Sequence, residues 1–181
     1  MLVLPFDGKL PSIHPSVFLA NGVLVSGDVT IGEESNIWYN TVIRGDIAPT
    51  IIGRRVSVQD NSTLHQSPDK PLILEDEVTV GHNAVLHSCI VRRGALIGMG
   101  AIVLDGAEIG EEAMVGAGAL VPPGMKVPPR SLVIGSPAKV KRDLTEADFK
   151  ELVRIRQSYA EKGQVYKRLE TEARLQESQM K

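Results

Sequence analysis

The run Val91-Arg92-Arg93-Gly94-Ala95-Leu96-Ile97-Gly98-Met99-Gly100-Ala101-Ile102-Val103-Leu104-Asp105-Gly106-Ala107-Glu108-Ile109 decides the fold. A branched aliphatic recurs in it every sixth residue, at Val91, Ile97, Val103 and Ile109, and continues at Val115, Val121, Val127 and Val133. Three residues after most of these stands a glycine (Gly94, Gly100, Gly106, Gly118), the residue that takes positive φ at no steric cost. The next residue is small: Ala95, Ala101, Ala107, Ala113 and Ala119. An inward aliphatic, a permissive turn residue and a small corner residue describe a hexapeptide β-helix repeat. Three such strands close a triangular coil of 18 residues, and coils stack at the strand spacing of ~4.8 Å. A β-sandwich would instead show period-two alternation and turn signals every ~8–12 residues.

The register extends toward the N-terminus through Ile13, Leu19, Val25, Ile31, Ile37 and Ile43, then Ile52, Val58 and Leu64, then Leu74, Val80 and Leu86. Ser35, Thr41, Ser62 and Ala84 supply the corners, and Gly22, Asn40, Asp46, Asn61 and Asn83 the turns. The expected architecture is all-β: a parallel β-helix over residues 1–138, followed at 139–181 by a C-terminal α-helix packed on the β-helix or on a neighbouring subunit. Thr145 reads as the helix N-cap, with Asp148 three residues on. Phe149, Leu152, Val153, Tyr159, Ala160, Tyr166 and Leu169 form its apolar stripe, Gly163 is expected to weaken or bend it, and the polar tail after Thr171 to fray.

Composition narrows the function. Aromatics are 4% of 181 residues and glycines number 17, which describes one domain with a thin core of small and branched side chains. A net charge of −2 gives no polyanion-binding footprint, so nucleic acid is not an expected partner. One cysteine, Cys89, excludes an intramolecular disulfide and fits a reducing compartment. No signal peptide or membrane span is expected, so the protein is expected to be cytoplasmic.

Three of the four histidines, His65, His82 and His87, cluster in the chain, while His14 stands apart as an ordinary surface residue. The step from Ile43 to Ile52 is nine residues and that from Leu64 to Leu74 is ten, so two insertions interrupt the repeat. The second lengthens one coil to 22 residues, the separation of His65 from His87. Each directly follows an inward leucine, so both point outward from one face, one strand spacing apart. Two imidazoles so placed can share an ion at ~2.0–2.1 Å per bond. His82 follows Val80 on a different face and cannot easily turn toward the other two within one chain. A threefold assembly of parallel β-helices would bring it against a neighbour's pair, so a three-histidine centre asks for a homotrimer. Arg44 falls one coil below His65, and Asp60 one coil below His82, with Gln59 beside it. If His82 meets a neighbour's His87, Asp60 comes near Arg44 across the same boundary, and Arg44, Asp46 and Asp60 also read as an interface ion-pair network. Cys89 reads as a small buried residue, and Trp38 as an outward residue filling a subunit contact.

Arg44-Gly45-Asp46, Val58-Gln59-Asp60-Asn61 with His65, and Gly81-His82-Asn83 with His87, on a hexapeptide β-helix with a C-terminal helix, resemble the γ-class carbonic anhydrases. The resemblance implies a left-handed β-helix trimer holding Zn²⁺, Fe²⁺ or Co²⁺ between subunits, with CO₂ and bicarbonate as substrate and product. It makes His65 and His87 the ligands from one subunit and His82 that from the next. It assigns Arg44, Asp46 and Asp60 to the intersubunit ion-pair set and Gln59 to orienting the attacking hydroxide. The chain departs from the archetype in four places. Ile47 replaces a Glu, Ser57 an Asn, and Tyr159 an active-site Asn, while the loop Gln66-Ser67-Pro68-Asp69-Lys70-Pro71 is shorter and lacks the acidic proton shuttle. Slow hydration is the expectation. Two other readings stay open: a hexapeptide acyltransferase with one interface histidine as general base, and a non-catalytic metal-binding or assembly protein of the same fold.

Overall fold

The structure, a computed structural model, describes residues 1–179; Met180 and Lys181 lie outside the described residues. The hexapeptide register produces a parallel β-solenoid of about seven turns followed by one helix. Its coils have three faces. One carries Thr63–His65, Val85–His87, Ile102–Val103 and Leu120–Val121, stacked in parallel. The second carries Leu72–Leu74, Ile90–Val91, Glu108–Ile109 and Lys126–Val127. The long strands Leu24–Ile31 and Val42–Ile52 bend around the corner between these two faces and join them into one sheet. The third face runs from Phe18–Leu19 to Ser131–Gly135, where Ala138–Asp143 pairs antiparallel and closes it. The break in period near Lys139 thus falls inside a hairpin strand that leads into the helix.

Every repeat aliphatic from Val25 to Val121 is 0–1% exposed, so the interior is a stack of Val, Ile and Leu layers. The corner residues Ser35, Thr41 and Ser62 are also buried, and each hydroxyl donates to a backbone carbonyl of the next coil: Gly53, Gln59 and Gly81 respectively. Of the turn residues, Asp46 alone does not take positive φ, because it lies within the bent strand Val42–Ile52. Less expected are Glu34, Arg55, Glu77, Glu112 and Arg130, all at positive φ on the corner after the second face. They stack coil upon coil with opposite charges paired, as in Arg130–Glu112 at 3.0 Å. Gly94 occupies the same column, and a Cβ there would meet Arg156 Nη1 at 2.5 Å. The missing side chain lets Arg156 of the helix reach both Glu77 and Glu112 while only 14% exposed.

The helix spans Glu146–Gln179 and lies along the third face of its own chain. Thr145 and Asp148 close a reciprocal capping box, Thr145 N–H donating to Asp148 Oδ2 at 2.7 Å and Asp148 N–H to Thr145 Oγ1 at 3.3 Å. Three expectations are corrected here. The polar tail after Thr171 continues as helix to Gln179. Gly163 does not interrupt the helix, which is continuous across it; it is buried where a Cβ would stand 2.8 Å from Asn36 Cβ, so its missing side chain lets the helix lie against the solenoid there. Val153 and Leu169 are exposed, at 43% and 54%, because the inward stripe is Leu152 and Gly163, both buried, with Ile155 and Tyr159 half-buried between them. Trp38 is corrected too. It is 6% exposed and packs edge-on against Phe18, Tyr159 and Tyr166, so its own helix covers it.

Candidate metal centre

The insertion in the coil puts His87 directly beside His65 in the parallel ladder. Their rings face each other with His65 Nδ1 and His87 Nε2 3.2 Å apart. Two nitrogens bound tetrahedrally at ~2.0–2.1 Å from one ion would be separated by about 3.3 Å, so this pair already has the edge length of a zinc site. The second nitrogen of each ring is engaged by a carboxylate. His87 Nδ1 lies 2.6 Å from Asp105 Oδ1, and His65 Nε2 lies 3.0 Å from Asp46 Oδ1. Donation of the His87 Nδ1 proton to Asp105 leaves His87 Nε2 its lone pair, whereas at His65 Nε2 a donor-only guanidinium and a carboxylate meet the same nitrogen. Arg44 also reaches this cluster, with Nη2 2.6 Å from His65 Nε2 and Nε 3.5 Å from Asp46 Oδ2.

His82 sits at the corner after the third face, its Nδ1 2.7 Å from Asp60 Oδ2. Tyr159 from the helix brings its hydroxyl to 3.5 Å from His82 Nε2. Burial raises the Tyr159 phenol above its ordinary range, with the nearby Asp60 charge adding to the effect, so it stays a proton donor. Beside these residues a groove of about 390 Å³ runs under the helix, lined by Gln59, Gly81, His82, Met99, Ile155 and Tyr159 among others. Gln59 is 5% exposed and its side-chain amide has no hydrogen-bond partner among the described residues.

One chain therefore brings together Arg44, Asp46, His65 and His87, and separately Gln59, Asp60, His82 and Tyr159. Among the described residues of the single chain, no group of three or more His, Cys, Asp or Glu is arranged to hold a metal ion. Cys89 points into the core at 0% exposure, and burial pushes its thiol up to about 12. Cys89 is thus the small buried residue expected, turned inward by the missing residue at Leu86–Val91, which leaves Ile90 half-buried. The His14 imidazole bonds to Ser16, in the first coil, away from the other histidines.

Asp105 is a site residue that the repeat conceals. Leu86 pairs with Val103, 17 residues on rather than 18, so counting along this ladder sets Leu104 beside His87 and passes over the aspartate that follows it. The loop after His65 is also more ordered than its composition suggests. It is a tight turn bridged from Ser67 to Lys70, with Ser67 N–H donating to Ser88 Oγ at 2.6 Å and Ser88 Oγ–H to the Lys70 carbonyl at 3.0 Å.

Comparison with known proteins fits this geometry. Residues 88–123 match the family model for the bacterial transferase hexapeptide (six repeats). A carbonic anhydrase from Geobacillus kaustophilus is 62% identical over 169 residues, covering 93% of both chains. An uncharacterized transferase from Bacillus subtilis, YtoA, is 59% identical over 93% of this chain and 99% of its own. Among solved structures, a Bacillus cereus protein assigned provisionally as an acetyltransferase superposes with a TM-score of 0.92 at 61% identity, covering 93% of this chain and 98% of that one. Similar relatives thus carry both carbonic anhydrase and transferase names. With the repeat, the histidine pair and the extent of these matches in agreement, the chain belongs to the γ-carbonic-anhydrase-like family of hexapeptide-repeat β-helix proteins.

Proposed function

We propose that this chain interconverts CO₂ and bicarbonate at metal centres shared between the copies of a homotrimer. The observation that carries the reading is the 3.2 Å pair of facing imidazole nitrogens, each ring backed by a carboxylate on its other side. His65 and His87 of one copy and His82 of a neighbour would hold Zn²⁺, with Fe²⁺ or Co²⁺ as alternatives. Such an ion lowers the pKa of bound water to ~7, a figure carried over from carbonic anhydrases as a class. Asp60 would keep the His82 proton on Nδ1 and leave Nε2 facing the neighbour. The unpartnered Gln59 amide would orient the attacking hydroxide, and the Tyr159 hydroxyl would donate beside it. Arg44, 47% exposed in the single chain, would meet a neighbour's Asp60 and align the boundary.

A hexapeptide acyltransferase is the second reading. The transferase names among relatives favour it, and so does the His82–Asp60 pair at a groove, which suits a general base. It needs one histidine where this chain offers three. The test is metal analysis and stopped-flow CO₂ hydration on protein purified without chelator. His65→Ala, His82→Ala and His87→Ala should each lose most of the metal, and His14→Ala should keep it. A metal-replete protein without hydration, or metal content indifferent to all three changes, overturns the proposal.

A further inference from the structure

We infer that Asp105 is a positioning residue for the candidate centre, holding the proton of His87 on Nδ1 so that Nε2 presents its lone pair beside His65. The inference rests on the metal reading above only for its consequence; the proton placement stands on geometry alone.

Both carboxylate oxygens of Asp105 are committed. Oδ1 lies 2.6 Å from His87 Nδ1, and Oδ2 accepts from Ser67 Oγ at 2.6 Å. A carboxylate tied at both ends cannot rotate away, so its direction is set by two separate elements. An ionised carboxylate only accepts, which makes His87 Nδ1 the donor of that contact and leaves Nε2 unprotonated in the neutral ring. The neutral ring is the form that binds metal.

Ser67 is itself fixed through the turn that follows His65. Its N–H donates to Ser88 Oγ, which in turn bonds the Lys70 carbonyl, and Ser88 N–H donates to the His65 carbonyl at 3.1 Å. The residues inserted into this coil therefore do two things. They bring His87 into line with His65, and they deliver a hydroxyl to the aspartate that orients His87. His65 has Asp46 and His82 has Asp60 in the corresponding place, so Asp105 completes a set in which each histidine has its own carboxylate. Partners of this kind typically change metal affinity about 10- to 100-fold when removed.

The test uses full-length protein labelled with ¹⁵N-histidine, stripped of metal, with the His87 signal assigned from His87→Ala. Long-range ¹H–¹⁵N spectra should show His87 as the Nδ1–H form in the wild type. In Asp105→Asn the amide can turn an N–H toward the ring, and His87 should shift toward the Nε2–H form, with zinc affinity reduced about 10- to 100-fold. Ser67→Ala removes only the second anchor. It should retain the Nδ1–H form with a smaller loss of affinity, and it serves if Asp105→Asn does not fold. Asp105→Glu should recover the Nδ1–H form in part, which a merely structural aspartate would not require. A wild-type His87 already in the Nε2–H form overturns the inference, as does an Asp105→Asn protein unchanged in both tautomer and zinc affinity. Zinc failing to bind wild type whose His87 tautomer still follows Asp105 rejects the metal reading and leaves the proton assignment standing.

Discussion

At the scale of single residues, chemistry here depends on what stands beside each reactive group. Cys89 is the one thiol, two residues from His87, yet at 0% exposure with its pKa pushed up to about 12 it is no ligand and no nucleophile. Iodoacetamide at pH 8 should leave native protein unlabelled and label it fully once unfolded; rapid native labelling would sink this. The same burial sets a pH dependence. A thiol of folded pKa above its unfolded ~8.5 contributes stability that is complete below that value and lost as pH rises toward 12, by at most about 1.4 kcal/mol per unit. Between pH 8 and 10 the wild type should therefore lose more stability in urea titrations than Cys89→Ala does. Ile47 makes the complementary case, a residue whose chemistry is absent. It is 50% exposed beside Asp46 and cannot carry a proton. A positioned group with pKa near the working pH accelerates proton transfer ~10²–10⁴-fold. Hydration should accordingly be slow, rise with buffer concentration, and fall below pH ~7 as the attacking hydroxide is protonated. Ile47→Glu should reduce the buffer dependence. A high kcat indifferent to buffer in the wild type would reveal a shuttle elsewhere.

Among the elements, the strands were legible and the helix only half so, for a physical reason. A solenoid strand has one inward residue per repeat, and that residue must be apolar whatever its neighbours are, so periodicity reports it directly. The helix stripe is chosen by what lies under it. Gly163 reads as a weak point in an isolated helix, but against the solenoid it is where a Cβ would collide with Asn36. Likewise Arg156, polar by type, is buried to 14% exposure because Gly94 on the solenoid corner left room for it. The two views of Gly163 predict opposite signs. Intrinsic propensity favours alanine by about 1 kcal/mol. A Cβ at 2.8 Å from Asn36 Cβ is overpacked, which typically costs ~1–3 kcal/mol. Packing should win, so Gly163→Ala should lower the urea midpoint, and because Tyr159 lies one helical turn away it should disturb the contact with His82. A stabilised Gly163→Ala would mean the helix lifts freely from the face.

Over the whole molecule, the division of the histidines is the fact to be explained. Two are stacked on one face and the third lies beside the helix on another, so among the described residues of one chain the three are not brought together. Counting coils places His65 beside His87 and Asp60 below His82, because a solenoid converts sequence separation into position at a constant rate. Asp105 escapes because the one-residue deletion brings Leu104, not Asp105, into register with His87, and the tight turn at Ser67–Lys70 escapes because its order comes from side chains on neighbouring coils. A site divided between chains makes a prediction that no monomeric arrangement shares. His65→Ala spoils one edge of a chain and His82→Ala the other, so each trimer of a single mutant type should bind little metal. Unfolding the two mutants together and refolding the mixture should form trimers in which an intact His65–His87 edge of one chain meets an intact His82 of the next. Random assembly gives such a junction a chance of about one in four, so the mixture should recover roughly a quarter of the wild-type metal content. Recovery near zero, in trimers shown by mass spectrometry to be mixed, would confine each centre to one chain and remove the reason for placing the function at a boundary.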